Sequence, residues 1–153
     1  MAGARDIRRL AFQALFQIDA HLPAGAGAGR PPDADLAAVR ASLEETEGLT
    51  AAEREAAFNL ALAAFDHRAA ADAEMTELAP AWPTHRQAAV DRAILRLAHY
   101  EMTSGRTPPK VAVNEAVELA KVFSTDRSPA FINALLDKVL KRLAASGPAG
   151  TQP

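Results

Sequence analysis

Apolar residues in this chain return every three or four positions, and prolines or hydroxyl residues mark where one such run ends and the next begins. That spacing admits α-helices and excludes strands, whose period of two would scatter the same side chains over both faces of a sheet. The first run, RDIRRLAFQALFQID (residues 5–19), carries two stripes where one is expected. Ile7, Leu10, Ala11, Ala14, Leu15 and Ile18 form an ordinary core face. Arg5, Arg8, Arg9, Phe12 and Phe16 recur at the same spacing, centred about 180° away at ~100° of rotation per residue. One apolar face suffices to join a bundle. A second face that mixes arginines with phenylalanines asks for another partner.

The remaining runs follow the same grammar. LPAGAGAGRPPD, residues 22–33, has glycine, alanine and proline without periodicity and is expected to be a flexible loop. A second helix is expected over about 33–47, stopped by Gly48, and Thr50 with Glu53 makes a capping box for a third that buries Phe58, Ala61, Leu62 and Phe65. A helical stretch through Met75 and Leu78 ends at PAWP, residues 80–83. Thr84 and Gln87 have capping-box spacing ahead of a helix with Val90, Ile94, Leu97 and Ala98 inward, widened by Leu95 and Met102, ending near Ser104 and Gly105. In TPPK, residues 107–110, Thr107 suits the N-cap and Pro108 the first helical position. Val113, Ala116, Val117, Ala120 and Phe123 form the core face that follows. The polar turn STDRS leads to Ser128 and Pro129, a second such pair, before Ile132, Leu135, Leu136, Val139 and Leu143. The expectation is an all-α fold of six to seven helices in one domain, residues 1–144, with a disordered tail over 145–153.

Composition agrees and narrows the chemistry. Hydrophobic residues make up 49% of the chain but aromatics only 5%, a mixture suited to closely packed helices. No cysteine is present, which excludes disulfides, thiolate metal sites and cysteine nucleophiles. No signal-like h-region or apolar run of about 18 residues is present, so a cytoplasmic protein is expected. The net charge of −2 conceals polarity: residues 1–30 carry +2, residues 31–80 carry −8 and residues 81–153 carry +4. A polyanion responds to the local field, so the basic ends matter more than the average.

Catalytic signatures are missing. His21, His67, His85 and His99 are scattered; none follows a glutamate by three residues or pairs with another histidine at i+4. Glu115 and Glu118 read as surface charge. No phosphate-binding glycine loop occurs, because AGAGAG precedes two prolines and follows no strand. Neither an enzyme nor a cofactor or metal site is expected.

Four ordered blocks are more specific. DRAILRLAHYEM (residues 91–102), PPKVAVNEAVELAKVF (108–123), SPAFINALLDKVL (128–140) and the opening segment with Arg5, Arg8 and AFQALF resemble the NusB family of bacterial transcription factors. The resemblance spans nearly the whole folded chain, with order and spacing kept. It implies two small helical bundles packed across each other and a non-enzymatic role. Such proteins pair with the small-subunit ribosomal protein that doubles as NusE, and the pair binds boxA RNA in nascent ribosomal transcripts. With other Nus factors, the complex helps RNA polymerase resist termination. Some members also form homodimers.

Carried onto this sequence, the resemblance assigns RNA contacts to Arg5 and Arg8, with Gln13 as a retained polar position beside them. Asp6 replaces a family arginine, which weakens phosphate attraction, and Arg9, outside the usual pattern, compensates. Lys110 matches a basic residue ahead of NEAVELAK, and Phe131 an aromatic that stacks on a base. Arg127 stands where some relatives carry an acid, which favours tighter RNA binding. Phe16 and Asp91 match positions at or near the NusE contact. The physical reading runs parallel: single-stranded RNA calls for cations at phosphates and flat side chains at unstacked bases. On that reading Phe131 divides evenly between stacking and core packing, and Phe12 stays open between core and interface. Asn114 and Asn133 suit hydrogen bonds at helix ends, and Tyr100 and Trp82 suit core or interface anchors.

Two other readings compete. The N-terminal region of Sun-type ribosomal RNA cytosine methyltransferases has the same fold, but that enzyme needs a downstream cofactor domain and a catalytic cysteine, and this chain ends first and has no cysteine. Asp137 also favours the free-standing factor, since the methyltransferases tend to carry arginine there. A helical protein–protein adaptor without an RNA role is the third.

Overall fold

A computed structural model describes residues 3–22 and 29–146. Residues 23–28 of the expected loop and 147–153 of the expected tail lie outside the described residues. Among the described residues the chain is all α-helical: α1 (Ala4–Ala20), α2 (Asp33–Leu43), α3 (Ala51–Asp66), α4 (Arg68–Leu78), α5 (Ala89–Thr103), α6 (Pro109–Phe123) and α7 (Ser128–Ser146), with one 3-10 turn at Thr84–Arg86. α7 takes in residues 145 and 146, which the sequence had placed in the tail. The chain forms two compact units, Met1–Ala69 and Ala70–Pro153, matching the two helical bundles expected.

In the first unit, α1 packs against α3 and α2. Leu10, Ala11, Ala14, Leu15 and Ile18 of α1 are buried, as are Ala57, Phe58, Ala61, Ala64 and Phe65 of α3. Alanine at so many buried positions lets helix backbones approach closely. Thr50 caps α3 as its spacing predicted: Thr50 Oγ1 accepts from the Glu53 N–H at 3.1 Å, and Glu53 Oε1 accepts from the Thr50 N–H at 2.8 Å. α2 stops at Leu43, earlier than expected, and a turn leads to Gly48. Gly48 has φ +88°, a left-handed backbone that favours glycine. Leu62 is only half-buried.

In the second unit, α5, α6 and α7 pack against one another. α5 is buried around most of its circumference, from Ala93 through His99. Its buried polar groups are therefore all partnered. Arg96 forks onto Asp72 of α4 at 2.9 and 2.7 Å, and His99 Nε2 lies 2.6 Å from Glu74 Oε1. Glu101 accepts from Thr107 Oγ1 at 2.9 Å. From α7, Arg142 reaches Glu74 and Glu77, and Lys138 donates to the Leu78 carbonyl at 3.1 Å.

Three expected helix starts move. Thr84 and Gln87 do not cap α5: the backbone is extended at Gln87 and Ala88, and the Gln87 side chain donates back to the Trp82 carbonyl at 3.2 Å. α6 begins at Pro109, not Pro108, because a residue before proline is pushed out of the helical region and the Thr107 hydroxyl is spent on Glu101. Ser128 is the first residue of α7 rather than its cap, and the Phe131 N–H reaches the Arg127 carbonyl.

Candidate nucleic-acid interface

The two faces of α1 are not the two the sequence drew. Arg5 and Arg9 are exposed, Gln13 is half-buried and Phe16 is 37% exposed. These four follow one another at i+4 and i+3, so they line a single ribbon of about 16 Å along the helix. Arg8 and Phe12 lie beside that ribbon but are closed off, only 9% and 3% exposed. Arg8 is thus corrected from a surface cation to a largely buried one, and Phe12 is core. Asp6 is not simply a lost arginine: its carboxylate accepts from the Gly3 N–H at 3.2 Å, satisfying a donor that the start of α1 leaves without a helical partner.

The second unit's candidates hang on a carboxylate. Asp91, in the first turn of α5, is buried, and each oxygen takes one hydroxyl: Ser124 at 2.6 Å and Ser128 at 2.9 Å. With the Ser128 proton committed to Asp91, Thr125 Oγ1, 3.1 Å away, is the donor toward Ser128. Asp91 therefore clamps the turn between α6 and α7 from inside. The turn it holds carries Arg127, exposed, and leads one helical turn on to Phe131, half-buried. Phe131 is neither wholly core nor wholly surface; its ring meets Trp82 edge-to-face, with centroids 6.4 Å apart and planes at 67°.

Trp82 itself is 48% exposed. Sequence reasoning placed it as a core or interface anchor and did not join it to Phe131. The signal was the two prolines around it, which present a side chain on a rigid turn.

Arg5, Lys110 and Arg127 share a placement that periodicity alone does not reveal. Arg5 and Lys110 are the second residues of α1 and α6, and Arg127 immediately precedes α7; all three are exposed. The start of a helix carries partial positive charge and prefers acids there. Cations at these positions work against helix stability, while adding their fields to the helix dipole in favour of an anion. Among the described residues no group of three or more histidines, cysteines or carboxylates is placed to hold a metal ion.

The sequence matches the model of the NusB family over residues 5–141. It is 43% identical to the transcription antitermination protein NusB of Symbiobacterium thermophilum over 153 residues, covering 95% of this chain and 93% of that one. The NusB of Geobacter sulfurreducens is 38% identical over 147 residues, covering 95% and 99%. Among solved structures, T. maritima NusB superposes with a TM-score of 0.71 at 27% identity, covering 92% of each chain. A chain from antitermination factors NusB and NusE in complex with dsRNA shares the fold, with a TM-score of 0.71 at 22% identity over 90% and 96% of the two chains. A match across nearly the whole length of this chain and of its relatives leaves one assignment: the chain belongs to the NusB family.

Proposed function

We propose that the chain is a transcription antitermination factor that binds boxA-type single-stranded RNA of nascent ribosomal transcripts together with NusE. The observation that supports the RNA contacts is the placement of Arg5, Lys110 and Arg127, exposed at helix starts where their charge adds to the helix dipole in favour of an anion. Arg9 and Gln13 extend the first patch, and Phe131 offers a ring to a base in the second. Phe16, the large apolar side chain exposed on α1, is the NusE contact in this reading. Asp91 acts indirectly by fixing the turn that bears Arg127, and Arg8 contributes charge from a largely closed position.

The factor works by binding and not by catalysis, in the cytoplasm where transcripts emerge, with other Nus factors and RNA polymerase. A homodimer is a resting form in this reading. Relatives covered over 93% and 99% of their own length carry the antitermination name, which favours the free-standing factor over the methyltransferase region. A protein of the same fold has been solved with NusE and double-stranded RNA. A base-stacking ring instead favours an unpaired strand here.

The test is a salt-titrated binding assay with boxA RNA, a scrambled strand and a duplex, each with and without NusE. Modest affinity for boxA alone and a clear gain with NusE are expected. Replacing Arg5 and Arg9 together with alanine should flatten the log–log salt slope by about 1.4, at ~0.7 per phosphate on a single strand. Equal binding of boxA and scrambled RNA, unmoved by NusE, would overturn the assignment and favour the adaptor reading.

A further inference from the structure

Trp82 combines features that neither a core nor an idle surface explains. It is the chain's one tryptophan and is 48% exposed, although its indole carries apolar area that a stable fold would bury. Its position is nonetheless fixed. Pro80 and Pro83 flank it, its backbone N–H donates to the Ala79 carbonyl at 2.9 Å, and its backbone carbonyl accepts from the Gln87 side chain at 3.2 Å. Phe131 then fixes the ring by the edge-to-face contact at 6.4 Å. A ring carried on a hydrogen-bonded turn and already touching a second ring has less freedom to lose than a loose one when something stacks on it.

The surroundings identify what stacks. The 3-10 turn after Trp82 is basic, with His85 and Arg86 exposed. On α7, Phe131 and Lys138 fall within about 20° of one face, and Arg127, just before the helix, lies one turn ahead of Phe131. Lys138 also binds the carbonyl of Leu78, at the end of the helix that leads to Trp82. Of the acids near this face, Asp137 is paired with Lys141 at 3.0 Å, and Asp126 stands beside Arg127. Aromatic rings bordered by cations are the combination that an unpaired nucleic-acid strand uses, rings for bases and cations for phosphates. An apolar protein anchor has no comparable need of that rim.

We propose that Trp82 is a second base-stacking residue, forming with Phe131 an aromatic platform for successive bases of single-stranded RNA. This rests on the RNA-binding role proposed above and adds Trp82, with Arg86 and Lys138 as its phosphate-side cations. The platform reads stacking rather than base identity, so it strengthens binding of a strand without choosing its sequence.

Because Trp82 is the only tryptophan, intrinsic emission of the whole chain reports this one site. The probes are boxA-type single-stranded RNA, the same strand carrying abasic sites, and NusE alone. Intact RNA should quench the emission, whereas the abasic strand should bind more weakly and leave it unchanged. Trp82→Leu should weaken intact-strand binding roughly five- to hundred-fold without altering the salt slope, and Trp82→Phe should restore most of it. Circular dichroism checks that the variants fold; if Trp82→Leu does not, quenching of the wild type and the affinity of Trp82→Phe decide. If the wild type binds RNA with unmoved emission and Trp82→Leu binds equally well, the platform is wrong and the RNA-binding role stands. If NusE alone shifts the emission and the variant loses only NusE affinity, Trp82 is a protein contact and the platform is again wrong. If the wild type binds no RNA, both readings fall together.

Discussion

At the scale of single residues, Asp91 separates where a side chain sits from where its effect is felt. Its two oxygens satisfy Ser124 and Ser128, so the α6–α7 turn is fixed by a buried carboxylate that no ligand has to touch. Asp91→Asn keeps the shape but puts an NH2 donor in place of one carboxylate oxygen, so one serine hydroxyl must turn from donor to acceptor and both bonds lose their charged partner. The expected loss is about 1–3 kcal/mol of stability, read from urea unfolding. RNA affinity should fall through the displaced Arg127 and Phe131, with NusE affinity unchanged. An Asp91→Asn variant of full stability that no longer binds NusE would return Asp91 to the partner surface. The resemblance puts this residue at or near a partner contact, and it does not report the hydroxyls that hold it. Ser124 and Ser128 lie 33 and 37 residues away, and no local spacing rule connects them. Arg8 was misplaced for a related reason. Helical periodicity tells faces apart, but not which of them is closed.

At the scale of elements, helix starts divide into those built for stability and those that carry cations. Thr50 and Glu53 were legible because both partners of the box lie within one turn and bond each other. Thr84 and Gln87 have the same spacing, yet Gln87 bonds back across the proline-bordered turn, and spacing cannot report such competition. In TPPK the helix starts at the second proline, because the residue preceding a proline is held out of the helical region. The cation-bearing starts give a prediction with two opposed signs. Lys110→Glu puts an acid in the first turn of α6 and should stabilise the fold by about 0.3–1 kcal/mol at low salt, read from thermal melts. The same variant should bind RNA more weakly with a shallower salt dependence. Weaker binding with lower stability would mean instead that Lys110 serves the fold.

At the scale of the whole molecule, the acid limb of the stability curve has an identifiable contributor. Arg30 forks onto Asp66 at 2.9 and 2.5 Å, and this hydrogen bonding holds the Asp66 carboxyl below its ordinary range, with the nearby positive charges of Arg30 and Arg68 adding to the effect. A depressed carboxylate stabilises fully above its unfolded pKa near ~4 and loses that contribution as pH falls through its lower folded value. Both side chains are about half exposed, at 47% and 48%, so solvent screens the pair and its effect at neutral pH is small. Asp66→Asn should therefore leave neutral melting nearly unchanged while flattening the fall in melting temperature at acid pH, most clearly at low salt. An acid limb identical to wild type would remove Asp66 from its causes. The charge polarity of the chain was legible in sequence, but this pair was not, since residues 30 and 66 meet only in the fold.

The Arg30–Asp66 fork has a neighbour. Arg68 donates to the Gly29 carbonyl at 2.7 Å and lies over the Phe65 ring at 3.7 Å, so the backbone at 29 and 30 is tied to the end of α3. On the other side of residues 23–28, the His21 and Leu22 N–H groups close the end of α1 by donating to the Ile18 and Asp19 carbonyls. The packing of α1 on α3 and the tie at Gly29 hold both flanks independently of the peptide that joins them. The first helix is therefore kept in place by its side chains against α3, and the backbone at 29 and 30 by two arginines of its own, so each flank carries a separate anchor.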